Sequence, residues 1–333
     1  MATIYDVSVM AGVSLATVSR VVNNNARVSD KTRRKVLAAM EALDYRPNAI
    51  ARSLASNRSD SVGVLVSQLE GPFYGPMMAE IENVLRGAGK HVIIAAGHGD
   101  EEQEKEGVQF LLNRGCDALI LDVEAVPDAY LVELCQGQTP IVLINRYVTG
   151  IDDRCIYLDN ERGGYLSTRH ILSLGHQKTA YLSGPLYKLD VQQRIKGHQR
   201  ALEEAGLPFD PELFFEGDFH EGSGRAGMEY FLRLGRAFSA LICANDSMAS
   251  GAIAAALEAG LRVPEDLSVM GYDNVPFPAY ISPKLSTISN PIDKMGKMAA
   301  LWVLQHVYEK TGTSVTGKFM PELIVRDSAQ ARD

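Results

Sequence analysis

From residue 61 onward, short apolar runs alternate with stretches long enough for a helix, and this rhythm constrains the fold more than any other feature. The runs fall at 62–66, 92–96, 118–123, 141–144, 179–183, 240–243 and 267–270. None shows the strict alternation of a strand with one wet face, so each reads as a strand buried on both faces. Amphipathic segments between them imply right-handed βαβ crossovers. So many units exceed one sheet of usual size, which predicts an α/β body of two doubly wound parallel lobes. Such sheets bind ligands outside the carboxyl ends of their strands, so the cleft between the lobes is the expected site.

The first sixty residues are a different electrostatic object. They hold nine Lys and Arg against five Asp and Glu, a net +4, while the whole chain carries −8. A basic module on an acidic body fits a polyanion-binding head on a carrier. On charge alone, random scatter explains the asymmetry equally well. The local pattern resolves the head into helices. Thr3 is placed to cap a helix through Ile4, Val7, Val9 and Met10, and Gly12 to end it. Ser14 caps a second, Leu15–Val22, whose Ala16, Thr17, Ser19, Arg20 and Asn23 leave a small polar face opposite Val18 and Val21. Ser29 caps a third over 30–43, with Val36, Leu37 and Met40 expected inward. Two helices about a tight glycine turn, with a supporting third, make a helix-turn-helix. The segment 48–56 favours a helix but is too short to be stable alone.

Hydrophobic residues make up 46% of the chain and charged residues 22%, which suits a folded chain with a real core. No stretch approaches the ~18 apolar residues that span a bilayer, and the start lacks a basic flank followed by an apolar core. A cytoplasmic location is expected, with Cys116, Cys135, Cys155 and Cys243 as reduced core thiols. Gly222, Gly224 and Gly227 match a dinucleotide-binding fingerprint, but residues 217–221 are too long for a tight phosphate turn after a strand. A capped helix start with chance glycines is the preferred reading. The seven histidines never fall at ligand spacing, and no nucleophile pairs with a base. Neither metal, cofactor nor enzymatic activity is expected.

The head text TIYDVSVMAGVSLATVSRVVNNNARVSDKTRRKVLAAMEALDYRPNAIARSLAS closely resembles the DNA-binding module of the lactose-repressor family of bacterial transcription regulators. The likeness continues through INR at 144–146, CANDSMASGAIAAAL at 243–257, GYDN at 271–274 and LIVRDS at 323–328. Among family branches the chain looks most like the galactose repressors. The resemblance implies a helix-turn-helix domain at 1–46, a hinge helix and linker at 47–60, and a two-lobed body of periplasmic-binding-protein type at 61–333. Lobe one then covers about 61–158 and 289–318, and lobe two about 159–286 and 319–333.

It also implies roles. The second helix lies in the major groove, with Leu15 and Ala16 at the main specificity positions and Arg20 donating two hydrogen bonds to a guanine. Leu15 taken singly reads as core packing. Ser14, Ser19, Asn23, Ser29 and Thr32 match positions that hold the DNA backbone, with Ile4, Tyr5 and Arg27 also DNA-binding; taken singly, the five polar residues read more often as caps or solvated side chains, and Tyr5 has a similar double reading. Asn48, Ala51 and Leu54 belong to the hinge, with Leu54 as the wedge that opens a central base step; a flexible linker is the plainer reading. In the body, Arg194, Asn245 and Asp273 match effector positions and suit a polyol's many hydroxyls. Phe73, Tyr74 and Phe219 supply an aromatic platform, and Asn145 stands where some relatives place Asp. Residues 67–71 depart from the Asp-containing loop usual in the galactose branch. The expected partners are a near-palindromic duplex operator, a small sugar effector, and a second copy of the chain. The tail after Arg326 has no heptad for further helix pairing, so a dimer is expected. Rival readings keep the head but use a nucleobase corepressor, make the chain a sugar-transport component, or make it a nicotinamide-dependent dehydrogenase.

Overall fold

The computed structural model describes residues 2–22, 28–46, 58–310, 312 and 314–332. The chain forms two compact units, Met1–Asp60 and Ser61–Asp333.

The first unit holds α1 (Ile4–Ala11), α2 (Leu15–Val22) and α3 (Asp30–Ala42). Their ends are set by short side chains that satisfy otherwise unpaired backbone donors. Thr3 and Asp6 form a reciprocal capping box on α1, and Gly12 ends it in the left-handed region at φ +63°. Ser14 Oγ accepts from Thr17 N at 3.2 Å, and Ser29 Oγ from Thr32 N at 3.4 Å. Val7, Ala11, Val18, Val21, Val36 and Ala39 make the core. Val36 is inward as expected and Met40 packs at the margin, but Leu37 is half exposed. The physical reason is helical period: Val36 and Ala39, three apart, share the buried stripe, and Leu37 falls beside it. Asn23, Arg27, Asn48, Ala51 and Leu54, with the expected hinge helix, lie outside the described residues.

The second unit contains two parallel sheets. One takes the order β11-β5-β4-β3-β1-β2, built from β1 (Ser61–Val66), β2 (His91–Ala96), β3 (Ala118–Leu121), β4 (Ile141–Ile144), β5 (Cys155–Leu158) and β11 (Lys318–Phe319). The other takes the order β7-β6-β8-β9, from β6 (Thr179–Ser183), β7 (Phe214–Glu216), β8 (Ala240–Cys243) and β9 (Ser268–Met270). A short antiparallel pair joins β10 (Thr287–Ser289) to β12 (Glu322–Ile324). All seven expected runs are strands, with small differences at their ends, but β2 is not buried on both faces: it is an edge strand, and its Ile94 is 46% exposed. The run at 118–123 stops at Leu121, and Asp122 and Val123 leave the sheet. Phe319 pairs with Leu158 in the first sheet, and the chain returns to β10 by Glu322. All four cysteines are free and buried.

Around the first sheet the chain forms α4 (Tyr74–Gly87), α5 (Glu101–Asn113), α6 (Asp128–Cys135) and α11 (Ile292–Tyr308), and the helices flanking the second sheet pack closely in pairs. In α7 (Asn160–Ser173) and α8 (Leu189–Glu204), a methyl group at Gly164 would collide with the Arg194 carbonyl oxygen, and one at Gly197 with that of Glu161. In α9 (Glu221–Leu234) and α10 (Asp246–Glu258), Gly224 lies against the Met248 carbonyl and Gly251 against that of Glu221. Two of the fingerprint glycines therefore have a packing reason. Gly224 admits the backbone of α10, Gly227 admits Leu182, and Gly222 opens onto empty space. They begin a helix, as expected, but their presence is not chance.

Gly197→Ala should lower stability by about 1–3 kcal/mol, because two backbones must separate to admit the methyl. Gly222→Ala, on open helix surface, should be neutral or stabilise by ~1 kcal/mol. Urea midpoints at unchanged slope check both.

Candidate functional site

In each sheet, one neighbouring pair of strands sends its crossovers to opposite sides. In the first sheet this switch lies between β1 and β3, and in the second between β6 and β8. Loops leaving the strand ends there diverge and open a crevice. Phe73 and Tyr74 follow β1, Asn145 follows β4, Arg194 lies on the helix after β6, Phe219 follows β7, Asn245 follows β8 and Asp273 follows β9. The structure brings all seven together on one cavity of about 320 Å³, a size that holds a small ligand. Glu124, Lys188, Asp190 and Asp246 share its wall.

Arg194 organises the site. It is 3% exposed, yet every edge of its guanidinium has a partner. Nε donates to Asn160 Oδ1 at 2.9 Å and Nη1 to the Ala244 carbonyl at 2.6 Å. Nη2 lies 3.2 Å from Asp190 Oδ2 and 3.8 Å from Asp273 Oδ1. The plane stacks 3.8 Å over the Tyr272 ring, whose hydroxyl donates to Asn160. Burial opposes the charge, but the Asp190 carboxylate and its neighbours outweigh that, so the guanidinium stays firmly protonated. Asn160, Asp190 and Tyr272 were missed from the sequence. Asp190 had a usable signal, because it precedes Arg194 by one helical turn.

The other polar groups are held in place by backbone geometry. Asn145, Phe219 and Asp273 adopt φ values of +65°, +73° and +99°, uncommon for residues with a Cβ. Asn290 Nδ2 donates to Asp273 at 3.3 Å. Asn245 caps α10, accepting from Met248 N at 2.9 Å, while its amide donates to the Phe219 carbonyl at 2.8 Å. Its side chain thereby fixes the loop that carries the Phe219 ring. Phe73 and Tyr74 meet edge to face at 5.2 Å. Across the cleft, Lys188 pairs with Glu124 at 2.7 Å. Asn145 Oδ1 is buried and meets no protein donor among the described residues, so it is open to a ligand's hydroxyl. The cavity thus offers a fixed guanidinium, two amides, carboxylates and aromatic faces. No group of three or more His, Cys, Asp or Glu able to hold a metal occurs among the described residues.

In the first unit, α2 buries Val18 and Val21 and exposes Leu15, Ala16 and Arg20 together. Leu15 is 45% exposed and is not core. Tyr5 is exposed on α1, Ser19 and Thr32 are half-buried, and Ile4 packs at the core margin. Ser14 and Ser29 are engaged as caps, although a hydroxyl keeps capacity for a further partner. An exposed guanidinium beside two small apolar side chains can reach a base edge and a thymine methyl in a major groove.

Asp122, just past β3, is 3% exposed, and its Oδ2 meets no protein donor among the described residues. Burial, followed by the nearby Glu124 carboxylate, raises its pKa well above the ordinary 3.8, against the pull of Lys188. The folded state thus keeps a proton that the unfolded chain has lost. The stability this group contributes is complete below pH ~4 and is lost as pH rises through the folded value. Asp122→Asn should therefore stabilise the chain more at pH 8 than at pH 4.5, by about 1.4 kcal/mol per unit of elevation. Urea unfolding at the two pH values checks this.

Comparison with known proteins agrees with both halves of this picture. Residues 3–48 match the family described as "Bacterial regulatory proteins, lacI family", and residues 168–329 match "Periplasmic binding protein-like domain". The chain is 38% identical over 328 residues to the HTH-type transcriptional regulator GalR of Escherichia coli K12, covering 98% of this chain and 96% of that one. It is 36% identical over 329 residues to the HTH-type transcriptional repressor PurR of Aliivibrio salmonicida, covering 98% and 99%. A solved Lac repressor dimer bound to operator and the anti-inducer ONPF superposes with a TM-score of 0.87 at 33% identity, over 99% of both chains. A transcriptional regulator CelR–cellobiose complex does so at 0.71 and 28% identity, over 99% of this chain and all of that one.

Proposed function

Because the chain belongs to the LacI family of bacterial regulatory proteins, we propose that it represses sugar-utilisation genes and leaves its operator when a small sugar occupies the cleft. It is a DNA-binding transcriptional regulator and not an enzyme. The finer reading has a homodimer on a near-palindromic operator, since a two-fold assembly presents two equivalent heads to two half-sites. Galactose or a related sugar or glycoside is the inducer. Among the described residues no single helix is long and apolar enough to cross a membrane, and a DNA target requires the cytoplasm and the nucleoid.

The observation that carries the sugar reading is the cavity wall. Arg194, Asn245 and Asp273 present donors and acceptors within one small space beside the Phe219 ring, which matches the hydroxyls and apolar face of a pyranose. A regulator of similar fold is known with cellobiose, which supports the same class. A nucleobase corepressor is the second reading, favoured by Phe73, Tyr74 and Phe219 on the same wall, since planar rings stack.

Selection of bound sites from random duplexes, repeated with galactose, glucosides and purine bases, tests both. The expected outcome is a near-palindromic site whose recovery falls with a sugar; recovery that rises with a purine selects the second reading. Arg20→Ala should weaken binding to that site by about 1–3 kcal/mol and relax preference at one base pair per half-site, as gel shifts on substituted sites would report. Loss of preference at no position would contradict the base-reading role.

A further inference from the structure

A second cavity, of about 330 Å³, lies away from the cleft, by the amino end of β6 and the carboxyl end of α8. Its wall is apolar through Leu202, Leu207, Phe209 and Leu213, with His198 as the buried polar group. His198 is 2% exposed, its ring 4.5 Å from that of Tyr181 and 6.1 Å from that of Phe209.

The tautomer follows from its neighbours. Thr168 Oγ1 lies 2.9 Å from the Gly164 carbonyl and 2.9 Å from His198 Nδ1. A hydroxyl has one proton and a carbonyl only accepts. Both contacts are hydrogen bonds together only if Thr168 donates to Gly164 and Nδ1–H donates to Thr168. Nε2 then carries a lone pair, and no protein donor meets it among the described residues. Burial holds the imidazole pKa down to about 3, so Nε2 remains a neutral acceptor at physiological pH. Lys178, exposed at the rim, pairs with no carboxylate among the described residues, whereas Arg236 is engaged by Asp210 at 2.8 Å.

We propose that this cavity is a second ligand site, for a small aromatic acid that donates one hydrogen bond to His198 Nε2 and sets its carboxylate against Lys178. The apolar walls take the ring, the buried acceptor demands a phenol or ring N–H, and the free ammonium selects an anion. The site is independent of the effector reading of the cleft.

Titration calorimetry on the full-length chain tests it, with 4-hydroxyphenylacetate and phenylacetate as probes. The hydroxylated probe should bind once per chain, and the probe lacking the donor about tenfold more weakly, as one hydrogen bond to a buried acceptor is worth. His198→Phe should remove that preference, and Lys178→Gln should weaken both probes equally. Leu207→Trp, which fills the cavity and leaves His198 in place, should abolish binding even if the His198 variant folds poorly. Equal affinity for the two probes would overturn the proposal, as would no heat from either at millimolar concentration. So would binding lost in Phe219→Ala but kept in Leu207→Trp, because the probe would then occupy the cleft.

Discussion

A guanidinium shut away from water is the constraint on which the body of this protein is organised. An unpaired buried cation costs several kcal/mol, so the chain must supply partners on every side of Arg194 or not fold this way. Those partners come from separate places in the sequence: Asn160 opens α7, Asp190 lies one turn back on α8, Ala244 follows β8, and Tyr272 and Asp273 follow β9. One side chain thereby registers two helices and two strand ends against each other. The contact is possible only because Gly164 and Gly197 let the backbones of α7 and α8 nearly touch. The rigidity of the cavity follows from this packing, and a rigid arrangement of donors is what a ligand with fixed hydroxyls requires.

The cavity wall draws on both sheets, and this gives it a means of transmitting occupancy. Arg194, Phe219, Asn245 and Asp273 stand on one lobe, and Phe73, Tyr74 and Asn145 on the other. A ligand that touches both favours whichever relative placement of lobes completes its contacts. It can shift the equilibrium only by the difference in its affinity for the two placements. A hundredfold change in operator affinity corresponds to about 2.7 kcal/mol of such difference. The Lys188–Glu124 pair, which already spans the cleft, biases the same equilibrium.

Much of this was legible in the sequence because it is local. Thr3, Ser14, Ser29 and Gly12 mark helix ends through bonds to residues three or four away, so spacing alone locates them. Long apolar runs announced β1, β4, β6 and β8, because a strand buried on both faces cannot afford polar positions. The illegible parts depend on distant neighbours. β11 has two residues and β12 three, and each is a strand only because β5 and β10 offer a free edge. Gly224 and Gly227 read as chance because their reasons, Met248 and Leu182, lie far off in sequence. Asn160 and Tyr272 lie 34 and 78 residues from Arg194, so nothing local in the sequence marks them as its partners. Leu37 was misplaced by one helical position, a shift that periodicity alone resolves poorly.

The central claim is that an Arg194-centred cleft senses a small polyol and thereby alters the grip of a base-reading head. Operator affinity measured across a series of galactose concentrations, in the native chain and in Arg194→Met, tests it most directly. The account predicts a saturable fall in affinity for the native chain and none for the variant. Native operator affinity that stays constant while calorimetry registers galactose binding would contradict it.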